Sequence, residues 1–274
     1  MTGMARLAPV TWRIESPAWG ERKPLRIVAV GDLHIGLPWM GAREIAKVVE
    51  IVRSLEGDLL VLLGDYVTDQ HMVTPKLDAD GIAALLRPFL ESPPPLGVWS
   101  ILGNHDWADL PRMRNGCPPL WPAIEAVGIP VLENRAVKRD HGGPFWLVGL
   151  GSQQAFKHEK IARLGSDDLD RALDGTADGA PRILLAHEPD IFPSLPPGIF
   201  LTLSGHTHAG QIRPFGRTLW VPSKHGTRYA HGHFVEGSDR DHHHLIVTAG
   251  IGCSGLPIRW NANPEIAVIE ISGP

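Results

Sequence analysis

Three short apolar runs, at residues 27–30, 59–63 and 98–102, each close on a glycine that is followed at once by Asp32, Asp65 or Asn104. Runs of four or five apolar residues bounded by turn chemistry are too short for helices and read as buried strands. Between them, Ile45, Val48, Val49, Val52 and Leu55 follow helical spacing over residues 42–55. A second helix is predicted over residues 80–90, stopped by the prolines at 93–95. Strand, helix, strand, helix, strand in that order predicts βαβ units and a parallel sheet.

The second half is more strand-like. Apolar runs at 146–150, 183–186, 200–203, 218–222, 245–248 and 266–271 predict strands, with a helix over 166–173. This half is expected to form a second, more antiparallel sheet packed on the first. The polar, proline-punctuated opening to Pro24 reads as an arm (residues 1–24), with a weak strand around residues 10–14. No linker divides the remainder, so residues 25–274 are expected to form one α/β domain of two packed sheets. Residues 225–244 are dense in Gly, His, Asp and Arg and read as an exposed loop entering a strand, with His231, His233 and His242 to His244 at the surface.

The strand ends carry the chemistry. Asp32 and His34 follow the first run, Asp65 the second, and Asn104, His105 and Asp106 the third. His187 and Glu188 follow the run at 183–186, and His206 and His208 follow the run at 200–203. In open α/β sheets the loops at the carboxyl ends of strands converge on one crevice. Residues two apart in an extended segment point the same way, so Asp32 with His34, and His206 with His208, are each expected to face one site as extended pairs. Carboxylates and imidazoles without thiolate suit Mn, Fe or Zn, while Mg prefers oxygen alone. The seven ligands Asp32, His34, Asp65, Asn104, His187, His206 and His208 exceed one tetrahedral ion and fill two sites if one carboxylate bridges. Two divalent ions against two carboxylates leave a net positive centre that suits phosphate.

The blocks D-x-H, G-D, G-N-H-[DE], H and G-H-x-H, in that order over residues 27–208, resemble the calcineurin-like metallophosphoesterases. The resemblance implies a four-layer αββα sandwich holding two divalent metal ions, with manganese a leading identity and Mg also compatible. By it, Asp32, His34, Asp65 and His208 would bind one ion, and Asp65, Asn104, His187 and His206 the other, with Asp65 bridging. His105 would be the catalytic residue beside the scissile phosphate. The implied reaction is hydrolysis of a phosphodiester or pyrophosphate bond by in-line attack of a hydroxide bridging the metals. Relatives often orient the catalytic His with an Asp three residues after the bridging one. Here that position is Thr68, and Asp69 follows, leaving its partner open. The tail from Gly250 to Ile266 is similar to the bacterial branch that includes UDP-2,3-diacylglucosamine pyrophosphatases, which makes a lipid-linked nucleotide one expected substrate and a phosphorylated small molecule the other. Trp39, Met40 and Trp107, which follow metal blocks directly, would then form an apolar lip, or else simply pack. Arg259 would contact an anionic substrate or form a structural ion pair.

Composition narrows the alternatives. A hydrophobic fraction of 43% and a charged fraction of 20% exclude intrinsic disorder. A net charge of −4 with no basic stripe argues against a nucleic-acid duplex as partner and against a nuclease. A metal-binding protein-interaction module on the same scaffold is the other class, but erosion of the site should have removed a ligand, and none is missing. The two cysteines, Cys117 and Cys253, suit a reducing compartment. No run reaches the ~18 apolar residues of a membrane span, and the first 25 residues lack a leader's apolar stretch. The expectation is a cytoplasmic enzyme, with peripheral contact at the inner membrane for a lipid-linked substrate.

Overall fold

The computed structural model describes residues 7–70, 72–73, 76–108, 116–157, 165–238 and 241–274. One sheet holds β1 (Ala8–Glu15), β2 (Leu25–Val30), β3 (Leu59–Leu62), β4 (Val98–Ser100) and β11 (Glu265–Ser272), in the order β1-β11-β2-β3-β4. The other holds β5 (Arg135–Asp140), β6 (Pro144–Gly149), β7 (Arg182–Leu185), β8 (Ile199–Ser204), β9 (Gly232–Ser238) and β10 (Asp241–Val247), in the order β5-β6-β7-β8-β10-β9. Both are mixed. β2, β3 and β4 run parallel, as do β6, β7 and β8, while β11 lies antiparallel to β2 and parallel to β1.

Alternation along the strands explains why the two sheets stack. Ile27, Ala29, Leu59, Val61 and Leu63 face the layer between the sheets, where Phe145, Leu147, Ile183, Leu185, Leu201 and Leu203 meet them. Val28, Val30, Leu60 and Leu62 face the other way, onto Ile45, Val48 and Val49 of α1 (Ala42–Ser54), Ile82 and Leu86 of α2 (Ala79–Leu86) and Leu120 and Ile124 of α3 (Leu120–Ala126). On the far side, Val148, Leu184 and Ala186 pack on α4 (Leu169–Leu173). These are the four layers expected, and strands buried on both faces read as continuous apolar runs for this reason. Each fully buried Leu, Ile or Val contributes about 1.5–3 kcal/mol, so the intersheet layer and the layer beneath α1 and α2 both contribute heavily to stability. Local signals set the helix starts: Asp78 accepts the Gly81 N–H at 2.8 Å, and Glu44 accepts the Gly41 N–H at 3.3 Å.

The strand expected around residues 10–14 is β1, which pairs with β11 over all eight of its residues. Two other expectations change. Residues 218–222 form no strand: β8 is already flanked by β7 and β10, and Leu219 and Trp220 are both exposed instead of alternating. Residues 225–244 are no plain loop either, because β9 and β10 form an antiparallel hairpin at the sheet edge. There the half-buried His231 meets Glu265 at 2.9 Å, and His233 stacks on His244. Of the two readings left open for Met40 and Trp107, packing holds: both are buried in the core beside α1 and α2. Among the described residues, no helix is long and apolar enough to cross a membrane.

Candidate metal centre

The ends of β2, β3, β4, β7 and β8 deliver their loops to one place, and the backbone keeps pairing past the strand ends. Asp32 N–H donates to the Gly64 carbonyl at 3.0 Å, His34 N–H to Asp65 at 2.9 Å, and Gly205 N–H to His187 at 3.0 Å. Two glycines allow side chains to crowd in. A Cβ on Gly103 would overlap Oδ1 of Asp65, and one on Gly205 would overlap Oδ2 of Asp32.

Six of the seven candidate ligands form two clusters. Asp32, His34 and His208 have ligand atoms within 4.8 Å of one another, and so do Asp65, His187 and His206. One atom spans them: Oδ2 of Asp65 lies 3.1 Å from Nε2 of His187 and 3.8 Å from Nε2 of His34. Asp65 is therefore placed where a bridging carboxylate belongs. Asn104, which follows β4 and lines the same cleft as His206 and His208, is buried. The pairs do not arise from extended backbone as expected. Asp32, His34, Asp65, His206 and His208 all adopt left-handed φ angles, between 44° and 70°. Such angles are uncommon outside glycine and mark strain held by the surroundings. Asp32 and His34 still serve one cluster, whereas His206 and His208 are split between the two.

Hydrogen bonds fix the imidazole tautomers. Nδ1 of His34 lies 3.0 Å from the Val67 carbonyl and Nδ1 of His187 lies 2.7 Å from that of Leu63. A carbonyl only accepts, so both Nδ1 atoms carry the proton and both Nε2 lone pairs face the site. Nε2 of His206 faces the Pro222 carbonyl at 3.0 Å, so Nε2 carries the proton and the Nδ1 lone pair is left free. Burial lowers His34 to about 4 and His206 to about 3, keeping each neutral as a ligand must be. Burial also pushes Asp32 up to about 6. Burial would lower His187, but the Asp65 carboxylate overrides it and raises the imidazole, while His187 and His105 hold Asp65 down.

This set fits metal. Oδ2 of Asp32 and Oδ1 of Asn104 are buried without a hydrogen-bond partner, and both belong to the ligand set. A buried polar atom left unpaired costs ~1–3 kcal/mol, and a divalent cation would remove that cost. Two carboxylates, an amide oxygen and four imidazoles, with no thiolate, make a dinuclear divalent-metal centre.

His105 borders the centre. Its N–H donates to Oδ1 of Asp65 at 2.9 Å, and its ring lies 5.2 Å from that of His34. Its Nε2 is 3.9 Å from Oδ2 of Asp69, an ion-pair distance longer than a hydrogen bond. Asp69 is itself fixed by Ser254 Oγ at 2.8 Å and the Gly255 N–H at 2.9 Å. Arg259 plays a structural role through backbone carbonyls and an imidazole, with no carboxylate within ion-pair distance among the described residues. Its guanidinium holds the carbonyls of Ala249 and Gly252 and sits 3.0 Å from Nδ1 of His208.

Sequence reasoning did not single out two further residues. Gln154 places its amide 3.1 Å from Nε2 of His206 and holds Lys157 Nζ at 3.0 Å. Lys157 lines the open cleft, about 220 Å³, beside His105, His206 and Trp220. Neither lies in a metal block, and a lone Gln and Lys in a loop carry no signal of their own.

The family profile for calcineurin-like phosphoesterases matches residues 25–233. A metallophosphoesterase of Helicobacter pylori (strain ATCC 700392 / 26695) is 28% identical over 94% of this chain and 63% of its own length. A transmembrane protein with metallophosphoesterase domain from Danio rerio is 29% identical over 90% of this chain and 53% of its own. The phosphodiesterase YaeI of Escherichia coli (strain K12) is 27% identical over 90% of this chain and 82% of its own. The chain thus spans less than two thirds of the length of the first two. Five ligand-bearing strand ends, two clusters joined through Asp65 and a profile match over most of the sequence lead to one conclusion: the chain belongs to the calcineurin-like phosphoesterase family.

Proposed function

We propose that the chain hydrolyses phosphodiester bonds, using Asp32, His34, Asp65 and His208 to hold one divalent ion and Asp65, Asn104, His187 and His206 to hold the other. The observation that carries this reading is the single Asp65 oxygen facing both clusters, with unpaired Asp32 and Asn104 oxygens beside it. When bound, such an ion pair supplies positive charge for the phosphoryl oxygens and lowers the pKa of water. The chain's own residues do the rest. Asp69 orients the imidazole of His105, which reaches the leaving-group side of the cleft and donates a proton there. Lys157, at the rim, offers a cation to a second phosphate substituent. Mn, Fe or Zn suits the mixed carboxylate–imidazole donors. The name of the Escherichia coli relative, a phosphodiesterase, supports the choice of bond.

A second reading is the pyrophosphate bond of UDP-2,3-diacylglucosamine. Its support is Trp220, 72% exposed and lining the cleft, where an acyl chain would find an apolar wall. Purified protein loaded in turn with Mn, Fe, Zn and Mg should be assayed on bis-nitrophenyl phosphate, nitrophenyl phosphate and the nucleotide sugar with and without its acyl chains. Faster turnover of the diester than of the monoester is expected. A preference of well over tenfold for the acylated nucleotide sugar, at about 0.8 kcal/mol per buried CH₂, would establish the second reading, and no turnover of any of them would overturn both.

A further inference from the structure

Beside the metal centre the surface turns apolar. Ile212, Phe215, Leu219, Trp220, Leu256, Ile258 and Trp260 are all exposed, Phe215 by 96% and Trp220 by 72%. They come from two segments stitched into one ledge. Ile212 bridges to Trp260, the Arg213 N–H donates to the Trp260 carbonyl at 2.8 Å, and Trp260 returns its N–H to Gln211 at 2.9 Å. The Gln211 amide then donates to the carbonyls of Ser254 and Leu256. Phe215 stands at the tip of a short turn with φ 52°, a strained setting for a bulky side chain, and that setting displays the ring to water. Exposed apolar residues scattered singly need no explanation, but a contiguous patch at the mouth of a site does.

Charge says what covers it. The chain carries −4 overall, yet residues 205–227 hold Arg213, Arg217 and Lys224 and no carboxylate, and residues 248–264 hold no carboxylate. Arg228 is paired with Glu236 and Arg259 is turned inward, but Arg217 and Lys224 are exposed, and Arg213 and Arg217 flank Phe215 in the ledge itself. Bulky apolar side chains ringed by Arg and Lys match the boundary between acyl chains and anionic headgroups. We propose that this ledge is a docking surface for a bilayer containing anionic phospholipid, which seats the metal cleft at the membrane surface. The proposal holds whichever phosphoester bond the metals cleave. A single-stranded nucleic acid would also want Arg beside aromatic rings, but four of the seven residues are aliphatic and offer no face for stacking.

The test is co-sedimentation of the full, metal-loaded chain with vesicles of phosphatidylcholine and phosphatidylglycerol, against vesicles of phosphatidylcholine alone. The mixed vesicles should bind at least tenfold more protein, brominated lipid should quench the tryptophan emission, and added salt should weaken binding. Phe215→Ser with Leu219→Ser should lower partition into the mixed vesicles at least tenfold while metal content and melting temperature stay unchanged. If that double variant does not fold, Arg217→Glu should still lower anionic-vesicle binding several-fold. Equal binding by wild type and folded variants, no binding to either vesicle, displacement by a single-stranded oligonucleotide, or a dimer that the double variant abolishes would each overturn the proposal.

Discussion

The carboxylate of Asp106 accepts the backbone N–H of Asp65 at 2.9 Å. It also accepts the N–H groups of Tyr66, Val67 and Gly103, at 2.8, 3.0 and 2.8 Å. One buried side chain thereby clamps the loop after β3 to the loop after β4 and holds Asp65 in its left-handed conformation. Asp106→Ala should strand four buried donors, at ~1–3 kcal/mol each if left unpaired. Chemical denaturation should show a loss of several kcal/mol, and the surviving folded protein should hold less than its full complement of metal by elemental analysis. Stability within 1 kcal/mol of wild type, a margin of about ± 0.5 being usual for innocuous surface changes, would contradict this role.

Because one Asp65 oxygen serves both clusters, Asp65→Asn should empty both metal sites, whereas His208→Ala should lower the metal content by about half, there being two sites. Chelation should also lower the melting temperature of the wild type, and restored divalent ion should recover it. A full two equivalents in Asp65→Asn, two being the ordinary count for such sites, would rule out the bridge.

His105→Ala should keep its metal yet lose turnover by ~10²–10⁴, the range for a lost general acid. A nitrophenyl ester, whose leaving group needs no proton, should suffer less than an alkyl ester. Asp69→Asn should lower kcat with little change in KM and shift the limb of the pH–rate profile that reports His105, since Asp69 lies 3.9 Å from its Nε2. An Asp69 variant with an unaltered pH profile would reduce that residue to a loop anchor.

Glu133 gives a pH dependence unconnected with catalysis. Burial raises its carboxyl from 4.5 to about 8, opposed by the Ser166 hydroxyl it accepts from. Below pH 4.5 both folded and unfolded forms are protonated and no penalty exists. Between 4.5 and about 8 the unfolded chain gives up the proton and the folded one keeps it, so stability falls as pH rises. Glu133→Gln removes that slope. Its melting temperature should match wild type near the acid end of this window and exceed it by several degrees at the alkaline end. Parallel curves for the two proteins would show that Glu133 ionises freely.

The ligand set was legible in the sequence because each ligand sits at a strand end, where apolar run, glycine and polar residue adjoin. What the sequence could not convey was backbone conformation. Asp32 and His34 are two apart in either an extended or a left-handed setting, and only the fold distinguishes them. Asp69 was one position from where a partner for His105 was sought, and its Ser254 and Gly255 contacts come from 185 residues away. Leu219, Trp220 and Val221 have the composition of a strand, yet a strand needs an open sheet edge, and composition does not say whether one exists. The apolar ledge was missed for the same reason, since burial of Met40 and Trp107 and exposure of Phe215 and Trp260 are properties of packing.

β11 completes the first sheet from its middle, between β1 and β2. During synthesis, β1 and β2 emerge some 240 residues before their common neighbour, so that sheet stays split until the fold's last strand leaves the ribosome. The turn just ahead of β11 supplies Gly250, packed on Asp32, and Arg259, braced behind His208. The pocket around Asp32 and His208 is thus walled by a segment more than 200 residues downstream of the first metal-binding block, so the ligands of one cluster depend on the latest-made part of this fold.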